Sequence, residues 1–101
     1  MQPNILFVLT DNQRRDLLGS APNPIIHTPT LDHLANWGTR FTHAFATTPI
    51  CAASRASILT GLYERRHQFT FDAPPLRSDL ARTSYPALLR QAGYRTGLIG
   101  K

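Results

Sequence analysis

The run of residues 4–10, Asn-Ile-Leu-Phe-Val-Leu-Thr, restricts the fold more than any other stretch of the chain. It is of strand length, and it is apolar without alternation. A strand that is apolar on both faces must be covered on both faces, as in a parallel sheet between layers of helix. The run stops at Asp11-Asn12, poor strand formers and good turn residues. Residues 94–99 read as a second parallel strand, and residues 39–46 (TRFTHAFA) as a short one.

Helix signals lie between these runs. Thr28 is placed to cap a helix that begins at Pro29, carries Leu31, Leu34 and Ala35 on one face, and ends at Gly38. A second helix is expected over 53–62, with Ile58 and Leu59 inward and Gly61 at its end. A third is expected over 84–92, capped by Ser84, apolar at Leu88, Leu89 and Ala92, and closed by Gly93. Pro22, Pro24 and Pro29 keep the approach to the first helix irregular. Residues 63–82 are polar, contain Pro74-Pro75, and read as a long loop. The order β–α–(β)–α–α–β predicts an α/β fold, a mostly parallel sheet flanked by helices. Ligands of such sheets bind beyond the carboxyl ends of the strands. Asp11-Asn12 stands at one such end and Lys101 at another.

At 101 residues the chain is sized for one modest core. With 42% hydrophobic and 17% charged residues it is globular in composition. A single cysteine excludes an internal disulfide framework. No apolar run reaches the ~18 residues a membrane span needs, so no membrane partner is expected. The opening MQPNILFVLT lacks the basic start and small-residue cleavage site of a signal peptide. By that absence alone the compartment reads as cytoplasmic, and it is otherwise open. The net charge of +5 invites a nucleic-acid reading. The arginines are scattered, however, and no basic stripe carries interleaved aromatics, so no nucleic-acid partner is expected.

Residues 48–61, TPICAASRASILTG, concentrate the chemistry. A free cysteine is often only a small buried hydrophobe. Here Arg55 follows Cys51 by four residues, one helical turn on the same face, and helical side chains lean toward the N-terminus. Arginine and a helix N-terminus together suit an anion. Cysteine phosphatases need a longer loop between cysteine and arginine than the three residues found here. The histidines at 27, 33, 43 and 67 show no zinc spacing. The local signature of a papain-like protease is also absent.

The stretch Cys51-Ala52-Ala53-Ser54-Arg55-Ala56-Ser57-Ile58-Leu59-Thr60-Gly61 resembles the sulfatase signature C-x-P/A-S-R-x-x-x-L/M-T-G. Residues 4–11 resemble the family's opening strand and first metal ligand. Residues 28–35 are similar to its TPNLDRLA helix, and residues 93–101 to the strand that enters its GKWH motif. The four matches occur in the family's order. The resemblance implies the alkaline-phosphatase-like sulfatase fold, with residues 1–101 as the N-terminal portion of an incomplete catalytic domain. On its own that portion is expected to turn over no aryl sulfate.

The resemblance also implies a mechanism. A separate maturation enzyme oxidises the signature cysteine, here Cys51, to formylglycine. The hydrated aldehyde has two hydroxyls: one attacks the sulfur of a sulfate ester, and the other expels the sulfate and restores the aldehyde. A hard divalent cation, Ca2+ with Mg2+ as the alternative, activates that hydroxyl. Asp11 matches a family metal ligand. Asn12 stands where many members have a second aspartate, giving up one negative charge. The modified residue 51 completes this part of the metal set. Arg55 matches the arginine that supports the formylglycine and the metal carboxylates, and Lys101 the lysine that contacts the sulfate. Ser54, Thr60 and Gly61 are assigned to modification and helix geometry, His43 and Trp37 to packing, and His67 to a position near the helix exit, outside the cleft. The nearest rival is a formylglycine-dependent phosphonate monoesterase or phosphodiesterase, against which Lys101 weighs. An inactive remnant and a basic anion-binding module are the others.

Overall fold

The computed structural model describes residues 2–70 and 75–100. The chain divides into two units, Met1–Ala44 and Phe45–Lys101.

In the first unit, helix α1 spans Pro29–Trp37. Proline at the first helical position gives up an N–H that would have no intrahelical acceptor. Thr28 occupies the cap position, but its hydroxyl makes no capping bond. It accepts from the Gly19 N–H at 2.8 Å and donates to Asp32 Oδ1 at 2.9 Å. The same carboxylate oxygen accepts the Ser20 N–H at 2.6 Å. Asp32 in the first turn thus ties the preceding loop to the helix, and a Cβ on Gly19 would run into its carboxylate. Asn23 organises the same loop: its Oδ1 accepts the N–H groups of Ile25 and Ile26, and its Nδ2 donates to the Asp16 carbonyl. The Gly38 N–H returns to Leu34 O at 2.9 Å and ends α1.

Helix α1 buries no residue. Trp37, assigned to packing from the sequence, is 82% exposed and stacks only at a tilt on His33, with centroids 5.9 Å apart. His43 is exposed as well, hydrogen-bonded to the Thr42 hydroxyl. Neither ring meets a core.

The second unit holds α2 (Cys51–Thr60), α3 (Glu64–His67), α4 (Ser78–Arg82) and α5 (Tyr85–Gln91). Helix α2 packs on α3 and α5, and α4 packs on α5. Two short helices therefore stand inside residues 63–82, where a long loop is expected. Each is closed by local bonds rather than by an apolar period. The Tyr63 carbonyl accepts from Arg66 and His67, and Gln68 turns left-handed (φ 56°) with its N–H on Glu64 O. The Thr83 and Ser84 hydroxyls fold back onto carbonyls of α4. Ser84 is indeed the cap residue of α5, but its hydroxyl serves α4. The carboxyl end of α5 closes as a Schellman turn: Gly93 N–H to Arg90 O and Tyr94 N–H to Leu89 O, with Gly93 at φ 89°. Arg77 pairs with Asp79 as Arg14 does with Asp16 in the first unit, and each arginine's hydrogen bonds hold its aspartate below the usual carboxylate range. All four side chains are exposed, so these pairs are screened by solvent.

The sheet is the main departure from the sequence reading. Residues 4–10, 39–46 and 94–99 were each expected to be a strand, and no strand occurs among the described residues. Helical bonds are made within a segment, whereas a strand exists only with a partner beside it. Ile5, Leu6, Val8, Leu98 and Ile99 are all exposed. Leu88 on α5 is exposed too. The buried residues among those described are Ala21, Ala53, Ala56 and His67, and three of these four lie in the α2–α3 pair. No helix among the described residues is long and apolar enough to cross a membrane.

Candidate active site on helix α2

Helix α2 starts at Cys51 itself, two residues before the expected boundary. Its cap residue, Ile50, offers no side-chain acceptor, and its first turn has no acidic residue. Nothing acidic there offsets the positive end of the helix dipole. The other end is closed firmly. The Thr60 hydroxyl donates to Ala56 O at 2.7 Å and accepts the Leu62 N–H, while Gly61 turns left-handed at φ 70° with its N–H on Ser57 O. A Cβ at Gly61 would meet no atom within 4 Å. The cost of Gly61→Ala is therefore conformational, about 1 kcal/mol in chemical denaturation.

Seven of the ten residues of α2 sort into two faces. At about 100° per residue, Cys51, Arg55 and Ile58 fall within roughly 60° of one another. Ala53, Ala56, Ser57 and Thr60 fall within roughly 100° on the opposite side. Burial marks the extremes: Ala53 is 0% and Ala56 3% exposed on one side, Ile58 is exposed on the other, and Cys51, Arg55, Ser57 and Thr60 are all half-buried. The expectation that Ile58 points inward is corrected here, while Leu59, on the flank between the two faces, is half-buried. The methyl side faces its neighbours, because a small residue lets a second helix approach closely where an isoleucine would hold it off. The front is left to the thiol and the guanidinium.

The back face meets a residue that the sequence reading set aside. His67 on α3 is 2% exposed. Its Nδ1 accepts the Phe69 N–H at 3.0 Å, so the ring hydrogen is on Nε2, which donates to Ser57 Oγ at 3.0 Å. A buried imidazole thus has both nitrogens satisfied. The one available signal was the short connection from α2 to α3 through Gly61, which forces the two helices to be neighbours.

In the first unit, Asp11 and Asn12 are adjacent and exposed at the end of the apolar run, and Asn12 is left-handed at φ 53°. Asparagine and aspartate tolerate that conformation better than other side chains. A carboxylate and an amide oxygen are the donors a hard cation takes, so the pair fits Ca2+ or Mg2+ in kind. Among the described residues no three His, Cys, Asp or Glu side chains gather into a metal cluster. Lys101, the remaining site residue of the sequence reading, lies outside the described residues.

The helix-borne cysteine and arginine, embedded in a run of small residues, carry the stretch that resembles the sulfatase signature. The chain belongs to the sulfatase family, whose model, described as Sulfatase, matches residues 3–101. It is similar to an N-acetylglucosamine-6-O-sulfatase of Bacteroides thetaiotaomicron, with 38% identity over 99% of this chain and 18% of the relative. An arylsulfatase of Clostridium perfringens is 39% identical over 100% of this chain and 21% of its own length. Arylsulfatase D of Homo sapiens is 35% identical over 99% of this chain and 18% of its own. The chain thus spans about a fifth of the length of these curated relatives. No solved structure matches it. Membership implies the family's alkaline-phosphatase-like fold, of which the described residues show helices and no strand.

Proposed function

We propose that the protein carrying this chain hydrolyses sulfate esters through a formylglycine made from Cys51. The observation that supports this most is the two-faced helix α2. Its first residue is the signature cysteine, Arg55 stands one turn on along the same side, and only methyl groups and small hydroxyls occupy the back. Oxidised to formylglycine by a maturation enzyme, residue 51 would supply a hydrated aldehyde as nucleophile. Arg55 holds a fixed positive charge beside it, where the transferring sulfuryl group carries negative charge. The positive end of α2 acts in the same sense. Lys101, by its place in the family motif, contributes a second cation to the sulfate.

Asp11 and Asn12 are the residues of this chain that would hold the divalent cation, Ca2+ before Mg2+. Bound there, such a cation would lower the pKa of a coordinated hydroxyl and offset charge on the sulfate. Asn12 gives the site one negative charge fewer than an aspartate would. Asn12→Asp is therefore expected to tighten Ca2+ binding about tenfold, read by calcium titration, and to leave stability unchanged since aspartate accepts the same backbone conformation.

Peptide mass spectrometry across residue 51, on protein from its native host, tests the reading. Replacement of CH2SH by CHO supports it. An unmodified thiol in a host that carries the maturation enzyme returns Cys51 to a packing role and the chain to an inactive remnant. Rates on an aryl sulfate and a phosphonate ester, measured side by side, then separate a sulfatase from its phosphonate-cleaving rival.

A further inference from the structure

We infer that His67 is a positioning residue that sets the rotation of α2 about its axis, and so decides which side carries Cys51 and Arg55. The argument starts from what the back of α2 lacks. Ala53 and Ala56 are its buried apolar contacts, and methyl groups pack almost equally well over a range of rotations, because apolar burial is non-directional. A hydrogen bond to a buried group is directional, and leaving it unmade costs the desolvation of that group, here the His67 ring. The Ser57–His67 bond supplies that direction. Ser57 lies on the back face beside Ala56. His67 cannot follow it if α2 turns, because the ring is held at its other nitrogen by the Phe69 backbone. A turn of α2 toward either side would leave Nε2–H buried without an acceptor.

The same geometry excludes a second reading of the pair. A serine beside an imidazole resembles a nucleophile and its base, but a base must accept the hydroxyl hydrogen on Nε2. Here Nε2 bears the ring hydrogen, because Nδ1 is already an acceptor. His67 holds a helix in place and takes no proton from Ser57.

This role rests on the proposed activity only for its kinetic readout. Four variants of the protein carrying this chain separate the two bonds. Asparagine at 67 puts an amide oxygen where Nδ1 was and keeps the Phe69 bond, but it is too short for Ser57. Glutamine at 67 places an amide nitrogen where Nε2 was and keeps Ser57. Ser57→Ala removes the acceptor and Ser57→Thr restores it. Misplacing reacting groups by a fraction of a bond length is costly, so H67N and S57A are expected to lower kcat about tenfold with KM within about twofold. S57T, which keeps both bonds, is expected to stay near the parent, and H67Q, which keeps the Ser57 bond but loses the Phe69 anchor, to fall between the parent and H67N. In unconverted protein the rate of Cys51 alkylation by iodoacetamide should shift at least about threefold in H67N and S57A and hold in S57T. Nitrogen-15 correlation spectra of the parent should show a single Nε2–H imidazole at His67. The inference is overturned if H67N and S57A lose only thermal stability while kcat and alkylation stay at parent values, or if His67 is the Nδ1–H tautomer. A parent protein with formylglycine absent and no sulfate-ester turnover would sink the proposed activity instead, and alkylation and tautomer would still decide the role of His67.

Discussion

Cys51→Ala is expected to reduce aryl sulfate hydrolysis on the order of 10^4-fold or more in kcat/KM, about 5 kcal/mol or more of transition-state stabilisation. On the proposed mechanism alanine cannot be oxidised to an aldehyde, so the nucleophile would be lost altogether. What remains is binding and electrostatics, which Arg55 and the positive end of α2 still supply. The substitution should cost little stability, because alanine favours the helix and the thiol side of α2 is not its buried side. The measurement is a progress curve with excess aryl sulfate, alongside a thermal melt of the same preparation. A variant that melts normally and retains more than about a hundredth of the parent rate would show that residue 51 is not the nucleophile.

Arg55→Ala comes next in size, with an expected loss of about 10²- to 10³-fold in kcat. The charge stands one turn from Cys51 and on the same side, so its effect should grow as negative charge builds on the sulfuryl group in the transition state. Substrate binding should weaken much less than kcat falls. Arg55→Lys tests the geometry. Lysine keeps the charge but loses the planar fork, and should recover only part of the rate. Equal losses for lysine and alanine would mean that the fork matters and the charge does not. Full recovery by lysine would reduce Arg55 to a point charge.

The parts of this chain that were legible in the sequence are those whose causes are local. Proline at 29 and glycines at 61 and 93 punctuate the helices where they are found, because a missing N–H or a left-handed turn is a property of the residue itself, and α1 ends at Gly38 as expected although that glycine is extended. The Cys51–Arg55 spacing is local in the same sense, since one helical turn relates the two directly. Strands at 4–10, 39–46 and 94–99 were not found, because their apolar residues record a need for partners and say nothing of whether those partners are present. The helices α3 and α4 escaped notice for the opposite reason. They are too short to show a period, and they are closed by the Tyr63 carbonyl and by hydroxyls that any loop also contains. The inward assignment of Ile58 failed because hydrophobicity ranks residues by size as well as polarity, and close helix contact prefers the smaller residue. His67 was set aside because its significance depends on a serine ten positions earlier, reached only once the chain has turned at Gly61.

The two-sidedness of α2 bears on how such a chain can diverge. The reverse of the helix answers to volume: at Ala53 and Ala56 any added carbon must displace a neighbouring helix. The obverse answers to chemistry, and Ile58, exposed beside Arg55, touches no such limit. Changes there can remodel what approaches the reactive residue without disturbing the helix that presents it.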